Sequence, residues 1–208
     1  MKAPEDPGTI DLEDYLGTRQ LNAKVWAKEE HGHYVEPQWV SSRLFDVEKF
    51  NDTIHDPACG FGRICRSAGA AGYISSGSDI VERGHGSVGN FLESEEARDN
   101  VVSNPPYHIF KAFTERALKV SRYKVAMVCL VRRLNAARWL QDTPLVRVWL
   151  LTPRPSMPPG YVVKDLEEKG RVPSGGTQDF CWLVFDKQKE YMAQPEIRWL
   201  CRDAPSAS

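Results

Sequence analysis

Residues 124–131, with the sequence Lys-Val-Ala-Met-Val-Cys-Leu-Val, form an almost uninterrupted apolar run in this 208-residue chain. A strand with this pattern is buried on both of its faces, which requires helices on each side of its sheet. Other short apolar runs alternate along the chain with helical patterns, and this is the order expected of βα units. The sequence therefore predicts an α/β fold with a mostly parallel sheet, in which residues 124–131 form a central strand.

The other elements are predicted from the same alternation. The helix after Pro106 has the clearest period, because Phe110, Phe113, Ala117 and Val120 share one face. Further strands are predicted at residues 53–56, 72–79, 100–103, 145–151, 180–185 and 197–200, and further helices at 63–71 and 135–141. A proline-rich loop at 152–160 and a glycine-rich connection at 174–177 precede the last two strands.

Length and composition fit one folded domain. Residues 1–30 are acidic and punctuated by proline and glycine, so we predict a mobile or loosely docked N-terminal arm, one domain over 31–200 and a flexible tail over 201–208. No apolar run reaches the roughly 18 residues of a membrane span, and the N-terminus lacks the apolar segment of a signal peptide. We therefore expect a cytoplasmic protein without a membrane partner.

The cysteines and histidines favour neither disulfides nor a metal site. The five cysteines, at positions 59, 65, 129, 181 and 201, are odd in number and form no Cys-x-x-Cys pair. His31 and His33 stand two residues apart, with no cluster of further ligands nearby in the sequence. We predict that the cysteines are small core residues and that no metal is bound.

Charge is distributed unevenly along the chain. The 27 Lys and Arg residues nearly balance the 28 Asp and Glu residues, which argues against an indiscriminately basic nucleic-acid binder. Residues 1–110 hold 10 basic and 18 acidic side chains, whereas residues 111–154 hold 10 basic and 2 acidic ones. A basic run alone is as often a solvated face as a binding surface, so its meaning depends on its neighbours.

A glycine-containing loop, Asp-Pro-Ala-Cys-Gly-Phe-Gly at residues 56–62, follows the first predicted strand. Gly60 and Gly62 let the backbone approach a ligand closely, and the next helix presents unpaired N–H groups to an anionic end. A bare Gly-x-Gly also occurs in tight strand-to-helix turns. Asp79, however, ends the next strand, where a carboxylate accepts hydrogen bonds from both hydroxyls of a ribose. Together the loop and Asp79 indicate an adenosine-containing cofactor.

This loop resembles the cofactor-binding motif of class I S-adenosylmethionine-dependent methyltransferases, and it lacks the third glycine of the dinucleotide fingerprint. The resemblance implies S-adenosylmethionine as the cofactor. It also implies a Rossmann-like class I methyltransferase fold, with a seven-stranded, mostly parallel sheet, helices on both faces and one antiparallel strand in the last hairpin.

Two shorter segments are similar to other cofactor motifs of this family. Tyr-Val-Glu-Pro at 34–37 looks like the motif that closes over the cofactor in γ-ordered members, which often have Thr in place of Glu36. Gly-Asn-Phe-Leu at 89–92 stands where the family usually has Asp-Phe, and the Asn90 amide oxygen keeps one acceptor without the charge. The cofactor-binding residues implied are Glu36, Pro37, Asp56, Ala58, Cys59, Gly60, Gly62, Asp79, Ile80, Asn90, Phe91 and Asn104.

The tetrad Asn-Pro-Pro-Tyr at residues 104–107 directly follows the strand predicted at 100–103. Two prolines fix φ and remove two donors, which leaves carbonyl groups pointing into a pocket at the end of the strand. The tetrad resembles the catalytic motif of amino-methyltransferases that act on nitrogen in a planar, conjugated amine or amide. The resemblance implies that Asn104, Pro105, Pro106 and Tyr107 are the catalytic residues.

The chemistry of such an amine explains these residue types. Its lone pair is delocalised into the ring, so the site must localise the pair before the nitrogen attacks a sulfonium methyl. The side-chain oxygen of Asn104 and the backbone carbonyl of Pro105 can accept the two amine protons and favour a pyramidal nitrogen. No strong base is needed, because the nitrogen loses its proton after transfer. Tyr107 would stack on the base, a contact worth roughly 1 to 3 kcal/mol.

A DNA partner is expected from the basic run, which begins four residues after Tyr107. The target adenine would be flipped out of a duplex or lie in single-stranded DNA, because a stacked base cannot reach the pocket. We predict contacts to DNA from Lys111, Arg132, Arg133, Arg138, Arg154 and Arg171, the last two in a loop over residues 153–176. With no separate recognition domain in the chain, we expect relaxed or short-site specificity.

The order of the three motifs is similar to that of γ-ordered DNA adenine-N6 methyltransferases, in particular the small single-domain ones of bacteria, phages and prophages. The resemblance implies methyl transfer from S-adenosylmethionine to adenine N6 in DNA. The planar amine is shared with RNA bases, with cytosine N4 in DNA and with a glutamine amide of a protein, so these acceptors remain alternatives. A non-catalytic module that binds cofactor or DNA is a further alternative. The pattern indicates neither a target sequence nor an oligomeric state.

Overall fold

Eight strands and four helices make up the computed structural model, which describes residues 32–189 and 194–203. The strands are β1 (Thr53–Asp56), β2 (Ile74–Asp79), β3 (Ser87–Val88), β4 (Asn100–Ser103), β5 (Lys124–Leu130), β6 (Leu145–Thr152), β7 (Phe180–Asp186) and β8 (Glu196–Cys201). The helices are α1 (Gln38–Val47), α2 (Arg63–Ala70), α3 (Phe110–Val120) and α4 (Gly160–Glu168), and short 3-10 turns cover Phe91–Glu93, Tyr107–Ile109, Val131–Ala136 and Arg138–Asp142.

All eight strands join one sheet in the order β3-β2-β1-β4-β5-β7-β6-β8. Neighbouring strands are parallel throughout, except that β7 is antiparallel to both β5 and β6. The prediction of a mostly parallel sheet with one antiparallel strand is therefore confirmed. The predicted count of seven strands is wrong, because Ser87 and Val88 pair with Ser78 and Asp79 at the edge. A two-residue strand is too short to show an alternating pattern in the sequence.

Helices cover the sheet on both sides, as the apolar run of β5 requires. Alternate residues of β5 enter two separate cores: Ala126 and Val128 pack in the core that holds residues of α1 and α2, and Val125 and Met127 pack in the core of α3. The predicted α3 stripe is buried, with exposures of 8% or less. Four of the five cysteines are also buried, which confirms them as core residues, and Cys201 is half-buried.

Two helices were not expected from the sequence. Helix α1 begins directly after Pro37 and buries Val40, Leu44 and Phe45. Helix α4 falls within the loop predicted over 153–176 and buries Val162 and Val163, two adjacent residues that do not reveal a helical period. The helix predicted at 135–141 is instead a pair of 3-10 turns, because Ala137 between them has φ −92° and ψ 60°.

Some of the predicted segments lie outside the described residues. These are the N-terminal arm over 1–30 and the last five residues of the predicted tail. Among the described residues the longest helix, α3, has 11 residues, and none is long and apolar enough to cross a membrane.

A buried carboxylate links the N-terminal ends of β5 and β6. Glu48, just after α1, is 2% exposed and accepts hydrogen bonds from the guanidinium of Arg147, from Trp149 Nε1 at 2.9 Å and from Lys124 Nζ at 3.3 Å. Lys124 begins β5, and Arg147 lies near the start of β6. Glu48 therefore joins α1 to two strands at the edge of the sheet opposite to the site described below.

We expect Glu48→Ala to lower the free energy of unfolding by about 3 kcal/mol, since it leaves the buried Trp149 Nε1 without an acceptor and removes a shared carboxylate from the half-buried Lys124 and Arg147. Urea unfolding at neutral pH measures the change. Asp165→Ala serves as the control, because the Lys169–Asp165 pair on α4 is more than half exposed and its loss should cost at most about 1 kcal/mol. Equal effects of the two substitutions would contradict the structural role of Glu48.

Candidate active site

The carboxyl ends of β1, β2 and β4 meet at one edge of the sheet and bring three polar residues to a common cleft. Asp56 and Asp79 end β1 and β2, and Asn104 directly follows β4. All three line one cleft that opens to solvent. The edge formed by parallel strand ends is where open α/β sheets bind their ligands. The site is thus built from sequence positions that are up to 48 residues apart.

Most of the sequence-predicted cofactor residues line this cleft. They are Glu36, Asp56, Ala58, Cys59, Gly60, Asp79, Ile80, Asn90, Phe91 and Asn104. Pro37 and Gly62 do not line it: Pro37 stands at the start of α1, and Gly62 stands at the start of α2. Of the tetrad, Asn104 and Pro106 line the cleft, whereas Pro105 is buried and Tyr107 lies behind Asn104.

The glycine loop needs its glycines for conformation and for space. Gly60 has φ +49° and Gly62 has φ +75°, in the left-handed region that side chains disfavour. A Cβ at Gly60 would lie 2.4 Å from Nε2 of His33, and one at Gly62 would lie 2.5 Å from the ring of His85. The glycines therefore let the rings of His33 and His85 pack directly on the backbone of the loop, and Gly60 also lines the cleft.

Asp79 fastens this loop to the end of β2. Its Oδ2 accepts from Gly60 N at 2.9 Å, and its Oδ1 accepts from Val81 N at 3.1 Å and lies 3.6 Å from Arg83 Nε. A carboxylate has about four acceptor positions, so these contacts leave Asp79 able to accept from a further hydroxyl. Asp79 lines the cleft beside the glycine loop, and its contact to a ribose stays a prediction.

Asp56 is buried at the centre of the site. Its Oδ1 accepts from Ser103 Oγ at 2.8 Å and from Ala58 N at 3.2 Å. Burial raises the pKa of this carboxyl to about 8, although the hydrogen bond from Ser103 acts in the opposite direction. Asp56 is therefore mostly protonated at neutral pH, and it holds the end of β1 to the end of β4 without adding a full charge to the cleft.

The side chain of Asn104 is held by three hydrogen bonds. Its Nδ2 donates to the backbone carbonyl of Tyr34 at 2.8 Å and to Glu36 Oε2 at 2.9 Å, and its Oδ1 accepts from the Tyr107 hydroxyl at 3.0 Å. Burial raises the pKa of the Glu36 carboxyl above its ordinary value. The segment around residues 34–36 thus contacts the tetrad directly.

Tyr107 sits in an aromatic stack. Its ring is nearly parallel to that of Tyr34, with centroids 6.2 Å apart, and its centroid lies 5.9 Å from that of Phe180. The hydroxyl also lies 3.5 Å from Met157 Sδ. Burial raises the pKa of this phenol well above its usual range, so the hydroxyl is a neutral donor. In this arrangement the ring is packed on protein, and its predicted stacking on a base remains a prediction.

Asn90 makes local contacts in the position where an acid was expected. Its Oδ1 accepts from Leu92 N at 3.1 Å and caps the 3-10 turn Phe91–Glu93, and its Nδ2 donates to Glu93 Oε1 at 2.7 Å. Phe91 is buried against Phe113. These contacts explain why Asn fits at position 90, and the predicted contact to an adenine amino group stays a prediction.

The predicted nucleic-acid residues fall into two groups. Arg132, Arg133 and Arg138 are exposed on the 3-10 turns that follow β5, at the cleft edge of the sheet, and Arg133 Nη1 donates to the Tyr107 carbonyl at 2.7 Å. The other three lie on other elements: Lys111 in α3 pairs with Glu115, Arg154 makes two hydrogen bonds to Asp179, and Arg171 is exposed after α4. The contact from Arg133 joins the basic run to the tetrad.

Sequence reasoning missed four residues of the site, namely His33, Tyr34, Arg63 and Met157. His33 lines the cleft, packs edge-on against Phe61 with centroids 4.8 Å apart, and has its pKa lowered to about 4, mainly by burial. Arg63 Nη1 donates to the Glu36 carbonyl at 2.8 Å. Tyr34 belongs to the predicted motif at 34–37, but no local pattern signals its contact to Asn104, 70 positions away, or that of Met157 to Tyr107, 50 positions away.

Solved methyltransferase structures share this fold at low sequence identity. A candidate RNA methyltransferase from Pyrococcus horikoshii is 16% identical, with a TM-score of 0.51 over 72% of this chain and 81% of the other. The M protein of the Type I restriction enzyme EcoKI is 14% identical, with a TM-score of 0.53 over 85% of this chain and half of the other. A predicted O-methyltransferase from Agrobacterium tumefaciens is 10% identical, with a TM-score of 0.51 over 79% and 85%.

These matches establish the fold, which is the Rossmann-like class I methyltransferase fold predicted from the sequence. At such identities they carry no further information about the acceptor. No protein-family model matches the sequence, and no curated protein matches it by sequence.

Asp56→Asn tests the protonation of the buried acid. The folded protein keeps a proton on Asp56 up to about pH 8, whereas the unfolded chain releases it near pH 3.8, so this group lowers stability as the pH rises between those values. The amide of the variant cannot ionise. We therefore expect the difference in the free energy of unfolding, variant minus wild type, to increase from pH 5 to pH 7.5. The increase should be up to about 1.4 kcal/mol per pH unit.

Urea unfolding across this pH range measures the difference. Asp142→Asn, at an exposed position, is the matched control and should show no such trend. A constant offset between Asp56→Asn and the wild type would show that Asp56 is ionised in the folded protein.

Proposed function

We propose that this chain transfers a methyl group from S-adenosylmethionine to the exocyclic N6 of adenine in DNA. The observation that carries the proposal is the position of Asn104, whose side chain lines the same cleft as the glycine loop and Asp79. An amide that can accept amine protons thus lies beside the predicted cofactor position, which is the arrangement that methyl transfer to nitrogen requires.

The lining of the cleft supports the proposed cofactor. When bound, S-adenosylmethionine supplies an electrophilic methyl group on a positively charged sulfur. Asp79 brings a carboxylate to the cleft, and Gly60 lines it without a side chain. Asp79 keeps an acceptor position for a ribose hydroxyl, and Asn90 and Phe91 line the wall where the predicted adenine contact would lie.

The tetrad provides acceptors for the incoming amine. Asn104 Oδ1 accepts from the Tyr107 hydroxyl, so an amine that binds to Oδ1 replaces or shares this contact. With one amine proton on Oδ1 and the other on the Pro105 carbonyl, the nitrogen lone pair is directed out of the ring plane. No ionised base is required, because the methylated nitrogen is a strong acid and releases its proton to water.

A nucleic-acid acceptor is supported by the basic surface next to the tetrad. Arg132 and Arg138 are exposed and form no ion pair with any described residue, and Arg133 is attached to the Tyr107 carbonyl. Uncompensated arginines bind phosphates and release counterions. Their place beside the acceptor site favours DNA or RNA over a protein amide, and the assay described next separates DNA from RNA.

Transfer of a labelled methyl group from S-adenosylmethionine tests this proposal. Unmethylated duplex DNA, single-stranded DNA, RNA and a translation release factor are offered in parallel, and modified nucleosides are identified by mass spectrometry. We expect N6-methyladenine in DNA, and at least a roughly 100-fold loss with Asn104→Ala. Label in RNA, on cytosine or on protein would overturn the DNA adenine assignment. Absence of label from every acceptor would contradict catalysis.

The basic surface is tested separately by the salt dependence of DNA binding. We expect Arg132→Ala/Arg138→Ala to weaken binding and to reduce the slope of log K against log salt by about 0.9 for each phosphate that the variant no longer neutralises. Lys119→Ala is the matched control. Lys119 lies in the last turn of α3, away from the cleft edge, and pairs with Glu95. An unchanged slope in the double variant would remove these arginines from the DNA interface.

A further inference from the structure

Glu36 contacts the tetrad as well as the cleft. Its Oε2 accepts from Asn104 Nδ2 at 2.9 Å, and its side chain is almost fully buried, with 6% of the residue exposed. A buried carboxylate is costly unless its hydrogen bonds are satisfied. An uncharged side chain could fill this position without the cost of burying a carboxyl group. The contact to Asn104 therefore indicates a functional reason for Glu36.

The contacts of Asn104 define the orientation of its amide. The Tyr34 carbonyl, 2.8 Å from Nδ2, can only accept, so the group that faces it must be the NH₂. The second hydrogen of the same NH₂ is directed to Glu36. A flipped amide would place its oxygen against the Tyr34 carbonyl and the Glu36 carboxyl group. Oδ1 is therefore kept on the side of the Tyr107 hydroxyl, from which it accepts, and an incoming amine would share or replace that contact.

Glu36 is itself fixed by two elements. Its backbone carbonyl accepts from Arg63 Nη1 at 2.8 Å, at the start of α2, and the preceding Val35 N donates to the Pro158 carbonyl at 2.9 Å, just before α4. The carboxyl group is thus anchored through the backbone on both sides. A hydrogen bond from an amide N–H to a carboxyl oxygen also polarises the amide and makes its oxygen a better acceptor.

We infer that Glu36 is a positioning residue for methyl transfer: by accepting from Asn104 Nδ2, it holds the Asn104 side chain with Oδ1 directed at the acceptor amine. This inference rests on the proposed function. It assigns Glu36 to the acceptor side of the site, in addition to its place in the wall of the cofactor cleft.

Kinetics distinguish positioning from cofactor binding. Glu36→Gln keeps an acceptor oxygen without the charge, and Glu36→Leu removes the acceptor at similar volume. We expect Glu36→Leu to lower kcat roughly 10-fold to 100-fold, as for the removal of a charge-assisted hydrogen bond, and Glu36→Gln to lower it less. A change in the KM for S-adenosylmethionine is read separately from kcat, because Glu36 also lines the cofactor cleft. A full kcat in Glu36→Leu, or a loss confined to the KM for the cofactor, would overturn the inference.

Nuclear magnetic resonance tests the contact without any methyl transfer. The side-chain amide of Asn104 gives a pair of proton signals that are identified by their loss in Asn104→Ala. We expect Glu36→Leu to shift these signals and to accelerate their exchange with water, while Glu168→Gln, at an exposed position of α4, leaves them in place. Unchanged signals in Glu36→Leu would overturn the inference. Because this readout needs no acceptor, it is valid even if the proposed acceptor is wrong.

Discussion

Burial of both faces of the sheet is the constraint on which the rest of the structure depends. With β4 and β5 covered by helices on each side, polar side chains on these strands have no place except at the strand ends. At one end Glu48 gathers Lys124 and Arg147 into a closed cluster. At the other end, Asp56, Asp79 and Asn104 are left around an open cleft. The same topology thus separates the edge closed by Glu48 from the edge that holds the cleft.

The sequence predicted the part of the fold that is encoded locally. Strands β1 and β4 match their predicted bounds, and the stripe of α3 is buried as expected, because short apolar runs and a 3.6-residue period are visible in single segments. The glycine loop and the tetrad were also recognisable, and the structure brings Gly60 and Asn104 to one cleft. Their roles in binding and catalysis follow from chemistry and resemblance, and they are what the proposed experiments test.

The features that escaped prediction depend on tertiary contacts. Helix α4 buries two adjacent valines and the edge strand β3 has only two residues, so neither shows a clear period. Helix α1 does bury Val40, Leu44 and Phe45 at helical spacing, and this short stripe was overlooked in the sequence. The partners of Asn104 are more distant still, since Tyr34 and Glu36 precede it by 70 and 68 residues. A motif in the sequence therefore identified the amide but not what orients it. That orientation decides whether Asn104 presents an acceptor or a donor to the cleft.

A crystal structure with S-adenosylmethionine bound tests the central claim most directly, which is that the glycine loop and the tetrad form a single site. The account predicts the ribose hydroxyls on Asp79, the adenosine beside Gly60 and Phe91, and the methyl group directed toward Asn104 Oδ1. A cofactor bound elsewhere, or bound in the cleft with its methyl group directed away from Asn104, would contradict it.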